Sequence, residues 1–400
     1  MNPLVIANSF GTKIEVDRRC LVITNISGLH LVYLAHQLDF DSILIDGNYG
    51  SISWEAIRFL SIHDIPVSIL RWDGSLQSSI SPAAPVSSSR LHIQQFSTYQ
   101  DGKKRLEVSN ALIKAKVEKS LEFLTKVAEY YDVIDINRIR QEFSNEYKIA
   151  KLTSIENVML YEAAIAEIYW KNISKIYAKL YPEFLFQKRG NKSHDHNKNA
   201  SDPLNAMHNI GYYILLAEVK KNIVATGLEP GIGLMHEITP GGRASLAWDL
   251  IEIYRWIVDL SILQVLQEKQ ISKKDFITTE HFHVRCRESV IKKLVERIRI
   301  NFNKRVMYKG KNHTFEGILL DNTRLLCSYV MNKTSKLEFT VPSMDLCRED
   351  NLGIRNKILN INPEERKRLG INKSTLWYQQ KYIKEGKKIK VYDKVMNKIK

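Results

Sequence analysis

The 400-residue chain has only four cysteines, Cys20, Cys286, Cys327 and Cys347, far apart and without a CxxC pair. That spacing argues against a thiolate zinc site and against a disulfide framework, and fits reduced thiols in a cytoplasmic protein. No apolar run approaches about 18 residues free of charge, so no membrane span is expected. The opening residues, MNPLVIANSFGTKIEVDRR, lack a basic segment ahead of an apolar one and do not read as a signal peptide. GxxxxGK[ST] is missing, so the chain need not couple to ATP. GxGxxG followed by a ribose-binding acid is missing too, and no Ser-His-Asp arrangement stands out. Acidic residues are in deficit, 44 against 59 Lys and Arg, for a net charge of +15.

That excess is not spread evenly. Residues 351–400 hold 14 Lys and Arg against 4 Asp and Glu, two thirds of the whole imbalance in an eighth of the chain. A concentrated basic segment fits a polyanion, nucleic acid before an anionic membrane surface. With 44% apolar residues the chain can bury a sizeable core in two or three domains.

Residues 1–80 read as β-rich, with short β-branched runs broken by Gly, Asn and Asp, and a turn at Asp46-Gly47-Asn48-Tyr49-Gly50. A short helix, SWEAIRFLSIHD, and a strand, IPVSILRWDG, follow. SSISPAAPVSSS reads as a linker, placed at 81–90. Residues 91–345 are expected to form a large all-α domain, with a small hairpin near Lys309–Thr314, and residues 346–400 a third unit. The fold class is α+β: a β-rich N-terminal domain, a helical catalytic domain and a C-terminal helix-turn-helix.

Within the helical part, a helix from Thr153 to Tyr181 carries an apolar stripe of Ile155, Met159, Ala166, Tyr169 and Ile173, with Glu162 in its middle. A carboxylate on a core-facing stripe must be paired, protonated or bound to a metal. Residues 187–203 read as a polar loop whose His194, Asp195 and His196 are not assigned a ligand role. A helix over Leu204–Thr226 leads into Gly227–Gly242, which packs five glycines and His236 into 16 residues. An apolar helix from Ser245 to Glu268 then carries Asp249, Glu252 and Asp259 within about 80° of arc. Arg255, one turn from Glu252, offers the bland alternative of a buried ion pair. Glu162, His236, Glu252 and the adjacent Asp249 supply oxygen and nitrogen without sulfur, a set that suits Mg²⁺ or Mn²⁺ better than Zn²⁺.

At the far end, PEERKRL begins on Pro363, Gly370-Ile371-Asn372 turns, and KSTLWYQQKYIKE forms a second helix stopped by Gly386. This is the pattern of a helix-turn-helix whose second helix enters a major groove. Lys373, Ser374, Thr375, Tyr378 and Lys381 would face DNA, while Leu376, Ile383 and Trp377 pack inward. Arg243, at the end of the glycine loop, is a further candidate DNA contact. Composition and spacing thus give a metal-dependent nucleic-acid enzyme with a C-terminal DNA reader, and leave open whether it cuts or joins.

Several of these stretches resemble the integrase family of CRISPR adaptation. LDFDSILIDGNYGSISWEAIRFLSIHDIPVSILRWDGSL is similar to its β-rich N-terminal domain, YEAAIAEIYW to the helix bearing its catalytic glutamate, SDPLNAMHNIGYYILLAEVKKNIVATGLEPGIGLMH to the segment ending in its metal-binding histidine, and LAWDLIEIYR to its acidic pair. The resemblance spans roughly residues 1–340. It implies catalytic and metal-binding roles for Glu162, His236 and Glu252, with Asp249 adjacent. The added tail departs from array-serving integrases and resembles the casposases, transposases of self-synthesising mobile elements, those of methanogens in particular. That resemblance implies metal-dependent transesterification joining 3′-hydroxyl ends of an element to target DNA. The partners implied are duplex DNA, both element ends with terminal inverted repeats and target, and a homodimer that builds larger assemblies such as a tetramer on DNA. The alternative is a spacer-acquisition integrase with an extra DNA-binding tail.

Overall fold

The structure is a computed structural model of the chain, describing residues 3–6, 10–46, 49–71, 76–80, 88–150, 152–186, 200–238, 243–268, 271–280, 283–344, 358–359 and 361–384. The N-terminal part holds two four-stranded sheets. One runs β1 (Pro3–Ile6), β5 (Ser42–Asp46), β7 (Val67–Leu70) and β8 (Leu76–Ile80) in spatial order; the other runs β4 (His30–Leu34), β3 (Cys20–Thr24), β2 (Thr12–Asp17) and β6 (Gly50–Ile52). The first sheet is parallel except at its β7/β8 edge, with Val5 opposite Leu44 and Leu44 opposite Ser68. The second is antiparallel except where β6 joins β2. Alternation along TKIEVD buries Thr12 and Ile14 and exposes Lys13 and Glu15, the period-2 pattern of a strand with one covered face. Ile6, Ile14, Leu21, Ile23, Ile43 and Val67 form a core closed by Ala56 and Leu60 of helix α1 (Trp54–Ile62), whose first turn is capped by the Ser53 hydroxyl. Leu44 and Leu70 instead join the core of the helical part, so the first sheet serves both.

Helices α2 (Ser88–Gln100), α3 (Gly102–Tyr131), α4 (Ile136–Ile149), α5 (Ile155–Leu180), α6 (Pro203–Ala225), α7 (Ser245–Ile251), α8 (Arg255–Gln267), α9 (Glu288–Phe302) and α10 (Phe315–Val330) make up most of the rest. Short polar side chains set their starts: Asp101, Asp135, Ser154 and Asp202 each accept a backbone N–H of the first turn. α8 is buried around nearly its whole circumference, as its apolar composition requires.

Several expectations are corrected. The helix foreseen over Ser245–Glu268 is two helices, because Ile253 and Tyr254 close tight i→i+3 turns, such as Tyr254 N–H to the Ile251 carbonyl at 2.9 Å, in place of the α-helical ladder. The linker foreseen at 81–90 ends earlier: α2 begins at Ser88, and 81–87 lie outside the described residues. The helical domain is not all-α. Besides the foreseen hairpin, β11 (Arg305–Tyr308) with β12 (Lys311–Thr314), it carries β9 (Phe276–Thr278) paired with β10 (Val284–Cys286). On α5 the buried stripe is Val158, Ile165, Tyr169, Ile173 and Ile176, rotated from the one expected, because α3 and α4 both pack on this helix. The turn residues Gly47 and Asn48, the loop with His194, Asp195 and His196, and Cys347 lie outside the described residues.

In the tail, helices Pro363–Arg368 and Lys373–Lys384 flank a turn in which Gly370 has φ 59°. Ile358, Ile361, Ile371 and Leu376 form a small cluster of their own. Trp377 does not pack inward as expected. Leu376 and Gln379 occupy the inner face, so Trp377 and Tyr378 are exposed, with the Lys381 ammonium 5.1 Å above the Trp377 ring. The Ile383 side chain lies outside the described residues.

Candidate metal centre

The histidine loop has no regular secondary structure, so side chains from three helices must satisfy its backbone. Two residues past the end of α6, Gly227 has φ 81°, a left-handed turn that glycine adopts without strain. Gly233 then packs so tightly that a Cβ there would lie 2.6 Å from the Ser245 Cβ and 2.7 Å from the His236 carbonyl. Asp249, fully buried on α7, accepts the N–H groups of Leu234 (2.6 Å), Met235 (2.9 Å) and His236 (3.0 Å), and its Oδ1 lies 2.6 Å from His236 Nδ1. Gln95 on α2, also fully buried, receives the Glu229 N–H at 2.8 Å and donates to the carbonyls of Glu229 and Ile232, each at 2.9 Å. Arg105 on α3 donates to the carbonyls of Leu234 (2.9 Å) and Met235 (3.3 Å) and pairs with Glu237 at 2.7 Å.

Gln95 and Arg105 do not stand out in the sequence, since a glutamine and an arginine on long helices carry no local mark of a loop more than 120 residues away. Gln95→Leu is expected to destabilise the fold by roughly 1–3 kcal/mol, because it leaves three partly buried backbone groups of the loop without their partner. Urea denaturation measures this, and a loss below about 0.5 kcal/mol would contradict the clamp.

With Nδ1 held by Asp249, His236 presents Nε2 to its surroundings. Burial works against its imidazolium, but the Asp249 hydrogen bond and charge, with Glu162 and Glu252 beyond them, raise its pKa above the ordinary histidine value. Both glutamates therefore lie within electrostatic reach of the ring. Glu162 sits at the edge of the buried face of α5, and Glu252 in the break between α7 and α8, its side chain 3% exposed. The Lys116 ammonium, from α3, stands between them: it pairs with Glu162 Oε1 and lies 2.6 Å from Glu252 Oε2. Arg255 takes the other Glu252 oxygen, Oε1, at 2.9 Å, and stacks 4.9 Å over the Tyr212 ring. Burial pushes the Glu252 carboxyl up, but Arg255 and Lys116 together hold it below the usual carboxylate range. A cleft of about 70 Å³ opens here, lined among others by Lys116, Glu162, Tyr212, Glu252 and Arg255.

The structure thus gathers Glu162 and Glu252 on one ammonium, sets His236 within their field and places Asp249 behind the histidine. Asp259, the third acid of the expected arc, lines the same cleft, but its carboxylate is engaged with Tyr169, Tyr212 (2.6 Å) and His208 (3.2 Å) in a buried polar cluster. Arg243 is exposed near the start of α7, 5.1 Å over the Trp248 ring. Among the described residues, no three His, Cys, Asp or Glu side chains are spaced to hold an ion as they stand. Two observations fit a divalent cation nonetheless. Glu252 Oε2 is buried, and the Lys116 ammonium at 2.6 Å is the partner it has, so a cation already stands at this oxygen. Lys116 itself occupies, as a cation, the space between two carboxylates that an oxygen-seeking metal would prefer.

With this geometry in view, the fold and site define a protein with a two-sheet N-terminal part, a helical part and a His/Glu/Glu centre at the meeting of α3, α5 and the α7–α8 break. The family model for CRISPR associated protein Cas1 matches residues 5–299, and the chain belongs to that family. A CRISPR-associated endonuclease Cas1 of Archaeoglobus fulgidus is 25% identical over 346 residues, 82% of this chain and 96% of that one. Its counterpart in Korarchaeum cryptofilum is 27% identical over 294 residues, 70% of this chain and 82% of the other. A solved structure of a casposase bound to integration product superposes with a TM-score of 0.78 at 31% identity, covering 90% of this chain and 99% of that one. A CAS1 protein from Thermotoga maritima shares the fold at a TM-score of 0.68 and 17% identity, with 85% and 100% covered. No helix among the described residues is long and apolar enough to cross a membrane.

Proposed function

We propose that the chain is a casposase-type integrase that joins 3′-hydroxyl ends of a mobile element to target DNA with Mg²⁺ or Mn²⁺. The observation that carries this reading is the likeness to the casposase bound to integration product, which extends over 90% of the chain, beyond the stretch matched by the family model. Glu162, Glu252 and His236 Nε2 would hold the cation, which supplies charge neutralisation on the phosphoryl oxygens and activation of the attacking hydroxyl. Asp249 acts through His236: its four accepted contacts leave it as a positioning residue, fixing the tautomer that presents Nε2. Arg255 holds one oxygen of Glu252, leaving the other for the ion. In the reaction the 3′-oxygen of the element end forms a bond to the target phosphorus, and the target's own P–O3′ bond breaks. The departing 3′-oxygen takes up a proton. One phosphodiester replaces another, so no nucleotide hydrolysis is required, in keeping with the missing P-loop.

The tail reads the element end in this scheme, with Lys373, Ser374, Thr375, Tyr378 and Lys381 on one helix and Arg243 near the catalytic loop. A dimer, and a tetramer on DNA, would bring two ends to one target. The second reading, spacer acquisition beside a repeat array, is favoured by the names of the curated relatives, which are CRISPR-associated endonucleases. The tail separates the two. Lys373→Ala/Lys381→Ala is expected to weaken binding to an element-end duplex about tenfold or more, and to lower the salt slope by about 1 for every phosphate that is no longer neutralised. Fluorescence anisotropy across a salt series checks this. Unchanged binding, in this variant and in the chain lacking 346–400, favours spacer acquisition.

A further inference from the structure

We infer that Lys116 is a resident counter-cation that competes with the divalent metal, answering the charges of Glu162 and Glu252 when no metal is bound. The inference rests on the metal reading above and adds to it a residue that neither motif nor spacing pointed to. Lys116 lies in the middle of α3, its side chain 10% exposed. Lysine at that depth is retained only when its charge is answered. Here it is answered twice, by Glu162 and by Glu252 Oε2, on two different elements. Arg255 meets Glu252 from the other side, at Oε1. The two glutamates therefore face two cationic side chains before any metal is bound.

The two cations are not equivalent. Arg255 is held in place: it pairs with Glu252 Oε1 and stacks on Tyr212. Lys116 sits between the carboxylates on a flexible four-carbon stem, at the oxygen of Glu252 that Arg255 does not take. A divalent ion held by both Glu162 and Glu252 would need that space, so the ammonium would have to leave it, into the cleft that these residues line. Each ion that enters displaces a charge already there, which lowers metal affinity and holds the carboxylates close until it arrives.

The test is Mn²⁺ binding to the full chain, followed by isothermal titration and by the EPR signal of free Mn²⁺, in wild type, Lys116→Gln and Glu162→Gln. Lys116→Gln is expected to bind Mn²⁺ about tenfold tighter or more, and Glu162→Gln to lose the site. Equal or weaker binding in Lys116→Gln, with the site lost in Glu162→Gln, overturns the inference and leaves the metal reading standing. Binding unaffected by Glu162→Gln overturns both. Thermal melts cover the case in which Lys116→Gln is poorly folded without metal: Mn²⁺ should then raise its Tm more than that of wild type. A melt that Mn²⁺ does not rescue counts against the inference.

Discussion

Glu162→Gln is expected to abolish strand joining while leaving the fold intact. Glutamine has the same shape, its amide oxygen can still accept from Lys116, and Glu252 still answers that charge, so the chain should stay folded at a cost of about 1–3 kcal/mol. What it removes is one of the two glutamate charges near His236. Metal-assisted phosphoryl transfer draws several kcal/mol from the ion, and each 1.36 kcal/mol is about a factor of ten in rate, so a loss of roughly 10³-fold or more follows. The assay joins a labelled duplex bearing an element end to a supercoiled plasmid in Mn²⁺, with circular dichroism as the control for folding. Joining that persists in Glu162→Gln would remove this residue from the site.

Asp249→Ala is expected to act through the fold. Its carboxylate is fully buried and collects three backbone N–H groups and the His236 ring. Removing it leaves those donors in an apolar interior, at a cost of about 3–5 kcal/mol. Asparagine is no safe replacement. Each carboxylate oxygen faces two donors, so an amide nitrogen in either place meets N–H groups instead of an acceptor. Asp249→Asn should therefore lose both stability and joining, while His236→Ala should lose joining with much less stability. Urea denaturation of the two variants separates these roles. A loss below about 1 kcal/mol in Asp249→Ala would mean that the loop is held by Gln95 and Arg105 alone.

The elements were legible where periodicity and caps are strong. The helix expected over Thr153–Tyr181 is α5, Ile155–Leu180, and the one over Leu204–Thr226 is α6, Pro203–Ala225, each capped by a Ser or Asp that the sequence displays. The break at Glu252 was not legible. It contains neither Gly nor Pro, and its residues turn tightly because Glu252 and Tyr254 find partners in α3, α8 and α10, which only the tertiary structure supplies. Trp377 is apolar yet exposed, because Leu376 and Gln379 fill the inner face of its helix, and apolarity alone does not reveal that. Among site residues, Glu162 and the Asp249/Glu252 pair stood out as carboxylates on apolar surfaces. Lys116 did not, since a lysine in an amphipathic helix reads as solvated until the acids opposite it are known. Asp249 was legible as an acid of the site; its several bonds to the loop, which make it a support and not a ligand in the proposed mechanism, came only with the coordinates.

The central claim is that Glu162, His236 and Glu252 converge on one divalent cation. Anomalous diffraction from crystals of the chain grown with Mn²⁺ and an element-end duplex tests it most directly. The account predicts a single strong peak at roughly 2.0–2.3 Å from a Glu162 oxygen, Glu252 Oε2 and His236 Nε2, with the Lys116 ammonium withdrawn and Asp249 still on the loop. A peak held by other residues, or Lys116 still bridging the two glutamates in metal-loaded crystals, would contradict it.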